Sequence, residues 1–266
     1  VNAKLARARL LYGLRGPRWL AVSVLSEIPL WPKVVSKLAT ALSALSSPRW
    51  LAAVGGVHSN QLWAERRNVI RRVAKEHVSA SPCNVLEIGT WFGRGSTQVW
   101  LETLTPGSTL MCVDVWRPYM QPGEAIKTTA NMDGMSRIAL SSVLDETVRA
   151  DQRGISMSVV RASASEFLPM LRDHSFDLIY VDGSHIYGDV KRDLEQASRL
   201  IKPGGLICGD DLDQAPTADL LAIARQHLED DTHVLPDGSA IHPGVMLAVT
   251  EAFGDVRSES GFWWRQ

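Results

Sequence analysis

The chain has 266 residues, 45% of them hydrophobic, which is enough to bury a full core in one large domain or in a domain with an extension. A formal net charge of -1, and the lack of any basic run interleaved with stacking aromatics, exclude nucleic acid as a partner class. Cys83, Cys112 and Cys208 are far apart, odd in number and set in or beside apolar stretches, so buried reduced thiols are expected rather than a disulfide framework or zinc site.

Residues 1–56 carry Lys4, Arg7, Arg9, Arg15, Arg18, Lys33, Lys37 and Arg49 against one acid, Glu27. The near-repeat "PRWLAV" and "PRWLAA", the second preceded by Ser47, reads as two short helix starts with proline in the first turn. This basic helical extension, with Trp19, Trp31 and Trp50 at helical spacing, is a candidate for peripheral membrane contact or for contact with a second copy of the chain, against the plainer reading that it packs on the main domain. Gly13, Arg15, Gly16, Pro17 and Arg18 interrupt the apolar region a signal peptide would need, and no apolar run is long enough to span a bilayer, so a cytoplasmic location is expected.

Residues 60–77 read as an amphipathic helix that leads into the main domain, assigned to residues 57–266. From there β-rich runs alternate with helical ones: strands at 84–89, 109–116, 155–162, 176–183 and 205–211, and helices over 133–151, 163–171, 187–200, 216–228 and 242–254, followed by a closing hairpin. That alternation is the mark of an α/β fold built on a mostly parallel sheet. The stretches 117–132 and 229–242 lack a strong period and are candidate lids over a site.

The first motif, "VLEIGTWFGRGST", is a strand, a Gly-rich turn and a helix start. A dinucleotide fingerprint from Gly89 would need glycines at 91 and 94, where Trp91 and Arg94 stand, and no lysine follows as in a phosphate-binding P-loop. Instead the pattern is Glu87-x-Gly89-x-x-x-Gly93, followed one strand later by Asp114. A carboxylate at a strand end can accept from ribose hydroxyls while the turn leaves room for the rest of a nucleoside, which points to an adenosine-type ligand without phosphates.

This ordered set resembles the class I S-adenosylmethionine-dependent methyltransferases over roughly residues 60–266. Within that class, "FDLIYVDGSHIYGDVKRDL" and "LIKPGGLICGDDL" resemble the metal-dependent O-methyltransferases acting on sugars of macrolides and related natural products. The resemblance implies a Rossmann-like, mostly parallel seven-stranded sheet with helices on both faces. It also implies S-adenosylmethionine held by Glu87, Gly89, Gly93 and Asp114, with Ser163 and Ala164 near adenine. Asp182, Asp210 and Asp211 end two strands at one edge of the sheet, where their oxygens can converge on a hard cation such as Mg2+. A bound dication lowers the pKa of an acceptor hydroxyl, and His185, beside Asp182, is the expected base for the proton. Asp213 reads as surface, and His242 as a residue lining the lid. Trp91, Trp116 and Tyr119 are expected either to stack on an acceptor or to pack in the core.

The expected function is therefore Mg-assisted O-methylation of a small-molecule hydroxyl, with a sugar or glycosylated natural product as the acceptor. Two alternatives stand beside it. Asp211-x-Asp213 matches the pattern by which many glycosyltransferases hold a metal and a nucleotide sugar, and a non-catalytic binding module could keep the fold as a scaffold.

Overall fold

The computed structural model describes residues 62–78, 80–117 and 132–266. The expected extension over 1–56, His58, Tyr119 and most of the 117–132 loop lie outside the described residues.

Helix α1 (Ala64–Val78) buries Val69, Ile70, Val73, Ala74 and Val78, a stripe at helical spacing. Then follow β1 (Asn84–Ile88), α2 (Ser96–Thr103), β2 (Thr109–Asp114), α3 (Met132–Gln152), β3 (Ser156–Arg161), α4 (Ala164–Phe167), β4 (Phe176–Val181) and α5 (Tyr187–Leu200). The chain continues through β5 (Ile201–Leu212), α6 (Ala218–Ala224), the small hairpin β6 (His233–Val234) and β7 (Ala240–Ile241), α7 (Pro243–Phe253), and β8 (Arg257–Glu259) with β9 (Gly261–Arg265). The main sheet has seven strands in the order β3-β2-β1-β4-β5-β9-β8. Strands β1 to β5 pair in parallel, and β9 runs antiparallel between β5 and β8.

Period-two alternation sends the strand side chains to two cores. Val85, Leu110, Cys112, Leu178, Tyr180, Leu206 and Cys208 pack with α1 and α2 residues on one face. Leu86, Ile88, Val113, Ile179, Val181 and Ile207 pack with α5 and α7 on the other. Each fully buried aliphatic side chain stabilises the fold by about 1.5–3 kcal/mol. A third cluster sets Phe92 and Trp116 against Ile138, Ala139 and Val143 of α3. All three cysteines are buried and free, as expected.

The register decides where the site lies. Ile88 pairs with Val113 and with Val181, and Val181 pairs with Gly209, so these four residues form one row across the sheet. The next residue on each strand is Gly89, Asp114, Asp182 and Asp210. Parallel pairing therefore brings the candidate residues to one carboxyl edge, side by side.

The helix expected over 163–171 is α4 followed by a 3-10 turn at Leu168–Met170, the 229–242 stretch holds the β6–β7 hairpin, and β5 and α6 also depart from expectation. Strand β5 starts at Ile201 because Ile201 already pairs with Phe176, and the Lys202 to Gly205 stretch is absorbed as an irregularity before Leu206 pairs with Leu178. The helix expected over 216–228 shrinks to Ala218–Ala224, with the Thr217 hydroxyl accepting from the Leu220 amide at its start, and the chain then turns.

Candidate active site

At the β1 end, Gly89 is required by a close approach. It has φ +83, and a Cβ there would lie 1.8 Å from the Asp182 carbonyl oxygen. Gly93 has φ +66 and faces Val143 of α3 at 3.0 Å from the same kind of projected Cβ. The Asp114 carboxylate holds this turn: Oδ2 accepts from the Thr90 amide at 3.0 Å and the Trp91 amide at 2.8 Å, and Oδ1 accepts from the Trp116 amide at 2.8 Å. One acceptor direction remains on Oδ1. A ribose hydroxyl needs such a direction, so the residues present fit the nucleoside expected here.

Glu87 requires a correction. It is 0% exposed, and each of its oxygens already has two donors. Oε1 accepts from Ser96 Oγ at 2.6 Å and Trp100 Nε1 at 3.1 Å, while Oε2 accepts from Thr97 Oγ1 at 2.6 Å and Cys112 Sγ at 3.4 Å. No acceptor capacity is left for a cofactor. Glu87 faces the α2 side of the sheet and anchors the start of α2 beneath the turn, where a negative group suits the helix dipole. Burial raises its carboxyl despite the four donors. Ser163 and Ala164 follow β3 as expected and are half-buried at the start of α4, where Ser163 Oγ meets Ser165 Oγ at 2.7 Å. Trp116 is a packing residue, 2% exposed, with its Nε1 donating to the Trp91 carbonyl at 2.7 Å.

The β4 and β5 ends differ in character. Adjacent residues on a regular strand point to opposite faces, so Asp210 and Asp211 should diverge. They do not, because the β5–β9 register shifts between Gly209 and Leu212, and Asp211 takes φ +64. Both carboxylates consequently reach one guanidinium nitrogen: Arg66 Nη1 lies 2.7 Å from Asp210 Oδ1 and 3.1 Å from Asp211 Oδ1. Arg66 Nη2 meets Asp213 Oδ1 at 2.5 Å, and Nε donates to the Ser260 carbonyl at 2.6 Å. Asp213 is exposed, as expected, and pairs with Arg66 to tie α1 to the strand end.

Asp182 joins the group through Tyr180, whose hydroxyl lies 3.1 Å from Asp182 Oδ2 and 3.3 Å from Asp210 Oδ2. One cation does not balance these acids. Burial, then Asp210 and Asp211, push Asp182 well up. Burial and Asp211 push Asp210 to about 7 against the pull of Arg66. Asp211 goes the other way: burial opposes its charge, but His185, His242 and Arg66 hold its carboxyl below the usual range.

His185 lies between two carboxylates, with Nε2 2.9 Å from Asp211 Oδ2 and Nδ1 2.8 Å from Asp231 Oδ1. Each ring nitrogen thus faces a carboxylate at donating distance, an arrangement that favours the imidazolium. Burial works against that charge, and Asp211 and Asp231 outweigh it, raising the histidine well above its ordinary value. The expected role of His185 as a base therefore requires that the ring first give up a proton. His242 packs edge-on against His185, with ring centroids 4.5 Å apart, and donates through Nδ1 to the Asp231 carbonyl at 2.7 Å. The α7 start approaches this loop so closely that a Cβ on Gly244 would lie 2.1 Å from the His185 carbonyl oxygen.

The three expected metal-site carboxylates lie along one edge, linked in pairs through the Tyr180 hydroxyl and Arg66, but among the described residues the group at this edge whose ligand atoms lie within 4.8 Å of one another is His185, Asp211 and His242. Arg66, Tyr180, Asp231 and the contact role of His242 were missed in the sequence. The surplus of aspartates over nearby cations was the only signal for Arg66, and the lid assignment of 229–242 the only signal for Asp231.

Residues 86–212 match the family model described as "Methyltransferase domain". No curated protein matches this chain in sequence. Among solved structures, it is similar to a protein from Corynebacterium glutamicum at 16% identity and TM-score 0.47, covering 93% of this chain and 94% of that chain. It is also similar to an O-methyltransferase from Bacillus cereus in complex with SAH, at 14% identity and TM-score 0.45, covering 88% of this chain and 98% of that chain. A third is a precorrin-6y C5,15-methyltransferase from Geobacter metallireducens, at 18% identity and TM-score 0.39, covering 62% of this chain and 70% of that chain. The matched stretch runs from within β1 to the end of β5, the part of the sheet whose carboxyl edge carries the glycine turn, Asp114 and the aspartates.

Proposed function

We propose that this protein is an S-adenosylmethionine-dependent O-methyltransferase that acts on a hydroxyl of a small molecule, with a sugar or glycosylated natural product as the acceptor class. The observation that carries the reading is the group Asp182, His185, Asp210 and Asp211, held on the same sheet edge as the glycine turn and Asp114.

Asp114 and the amides it orders would receive the ribose, and Gly89 and Gly93 keep side chains out of the turn. Asp182, Asp210 and Asp211 would hold Mg2+. Bound S-adenosylmethionine supplies a sulfonium methyl, and a bound dication lowers the pKa of a hydroxyl it holds.

The chain's own part is the proton. Asp231 accepts from Nδ1 of His185 and fixes the tautomer whose Nε2 points to Asp211. His185 accepts the hydroxyl's proton at Nε2 once Asp211 has left that nitrogen and the imidazolium has lost its proton to solvent. Asp211 has other partners at hand, since its Oδ1 already lies 3.1 Å from Arg66.

The test has two arms. Calorimetry with S-adenosylmethionine, S-adenosylhomocysteine and UDP-sugars should show binding of the first two, and binding of UDP-sugars alone would make the chain a glycosyltransferase. A mass-spectrometric screen of hydroxylated acceptors with magnesium should show the gain of one methyl, lost on chelation while S-adenosylmethionine still binds. Full turnover in excess EDTA would remove the cation from the reading.

A further inference from the structure

We propose that His227, Asp230 and His233 form a second cation site, for a borderline transition ion such as zinc, on the loop that carries Asp231. The shortened α6 creates it. After Ala224 the chain turns, with the His227 amide donating to the Ala224 carbonyl at 3.0 Å and the Asp230 amide to the His227 carbonyl at 3.1 Å. Strand β6 then begins at His233, which pairs with Ile241. The His-x-x-Asp-x-x-His spacing is thereby gathered on one side of the loop.

His227 Nδ1 lies 2.8 Å from Asp230 Oδ2, and His233 Nδ1 lies 3.9 Å from the same oxygen. One ligand atom from each residue lies within 4.8 Å of the others. The two imidazole rings face each other, with centroids 3.8 Å apart and planes at 33°. A simple ion pair needs only His227 and Asp230. The Nδ1 of His233 is beyond hydrogen-bond range of that carboxylate, whereas a cation seated among the three engages all of them.

Two imidazole nitrogens and one carboxylate oxygen suit zinc and its neighbours, with water completing the coordination. Magnesium, which takes oxygen ligands, is not the ion for this set. The site is thus chemically distinct from the aspartates at the sheet edge. Its position links it to them: the next residue, Asp231, holds His185 through its side chain and His242 through its carbonyl. A bound ion fastens the segment on which both contacts depend.

The test uses the full chain stripped with EDTA, titrated with ZnCl2 by calorimetry and with Co2+ by visible absorption. A second histidine group, His185 with Asp211 and His242, lies in the candidate active site and competes for the same ions, so every measurement is made in a His242→Ala background. With excess Mg2+ present to occupy the sheet-edge aspartates, that background should bind one zinc ion. Adding His227→Ala and His233→Ala should weaken binding at least about 100-fold, since loss of even an outer partner of a ligand costs 10–100-fold. Asp230→Asn, which keeps both rings and guards against a folding artefact, should weaken it as well. Zinc should slow hydrogen exchange over residues 227–235 in the His242→Ala background and not when His227→Ala and His233→Ala are added. No ion bound in the background, or unchanged affinity in the variants, would overturn the site, and unchanged exchange would overturn the fastening. Neither S-adenosylmethionine nor an acceptor enters these measurements, so the outcome is separate from that of the methyl-transfer reading.

Discussion

The two halves of the sheet edge treat their carboxylates in opposite ways. At β1 and β2, Glu87 and Asp114 are surrounded by neutral donors: hydroxyls, an indole, a thiol and backbone amides. At β4 and β5, Asp182, Asp210 and Asp211 crowd one another, and the protein answers with Arg66 and a charged His185. An acid ringed by neutral donors holds backbone in place. Acids pressed together remain short of positive charge and are ready to take a cation or move a proton.

Replacing the proton carrier should have the largest effect. His185→Ala should cost about two to four orders of magnitude in turnover, the usual yield of general-base catalysis, with S-adenosylmethionine affinity retained in calorimetry. Normal turnover would assign the proton to another group and leave the crowded edge without its catalytic role. Next comes Arg66→Met, which removes the main cation from Asp210, Asp211 and Asp213. A loss of about 3–5 kcal/mol in urea unfolding is expected, the cost of breaking a buried pair. Added Mg2+ should restore more stability to this variant than to the parent, and equal responses would break the contrast.

The quieter half should respond less. Asp114→Asn keeps the shape of the side chain but loses its charge, and should weaken S-adenosylmethionine binding by about 1.5–3 kcal/mol, the range for a hydrogen bond to a charged group. Unchanged affinity in a folded variant would show that Asp114 only orders the turn.

The smallest effect concerns Asp193 on α5, a buried acid outside both groups. Burial lifts it to about 7, with Asp189 adding and Arg192 opposing. Its folded-state value lies above the unfolded one, so the folded protein holds the proton more tightly. The stabilisation is full below about pH 4, the unfolded value, and is lost as pH rises toward the folded-state value. Asp193→Asn should remove that decline and gain about 1 kcal/mol at pH 8 relative to the parent, a typical size for one substitution. A parent whose stability is flat from pH 4 to 8 would contradict the buried charge.

Much of this architecture could be read along the chain. Helix α5 runs over Tyr187–Leu200 as its period indicates, and the strand positions around Val85, Leu110 and Leu178 follow from alternation. These features depend on neighbours a few residues apart, where propensity and period act. Asp114, Asp182 and Asp210 were legible as strand-end residues, and the parallel register then set those ends side by side. Glu87 was misread because motif position says nothing about whether four donors already surround a carboxylate.

Amino-acid order alone determined the α/β alternation, the glycine turn and the acids at the strand ends, because each is a local pattern of side chains against the 3.6 and 2.0 periods of the backbone. Only the tertiary structure decided which charges meet. Arg66 and Asp211 stand 145 residues apart, and their contact depends on α1 packing beside a sheet whose order is set by every strand between them. The bulge that turns Asp211 to the same side as Asp210 arises from pairing with β9, near the end of the chain. Electrostatics is a sum over distances in space, so the protonation of His185 between Asp211 and Asp231 has no counterpart in any single stretch of sequence.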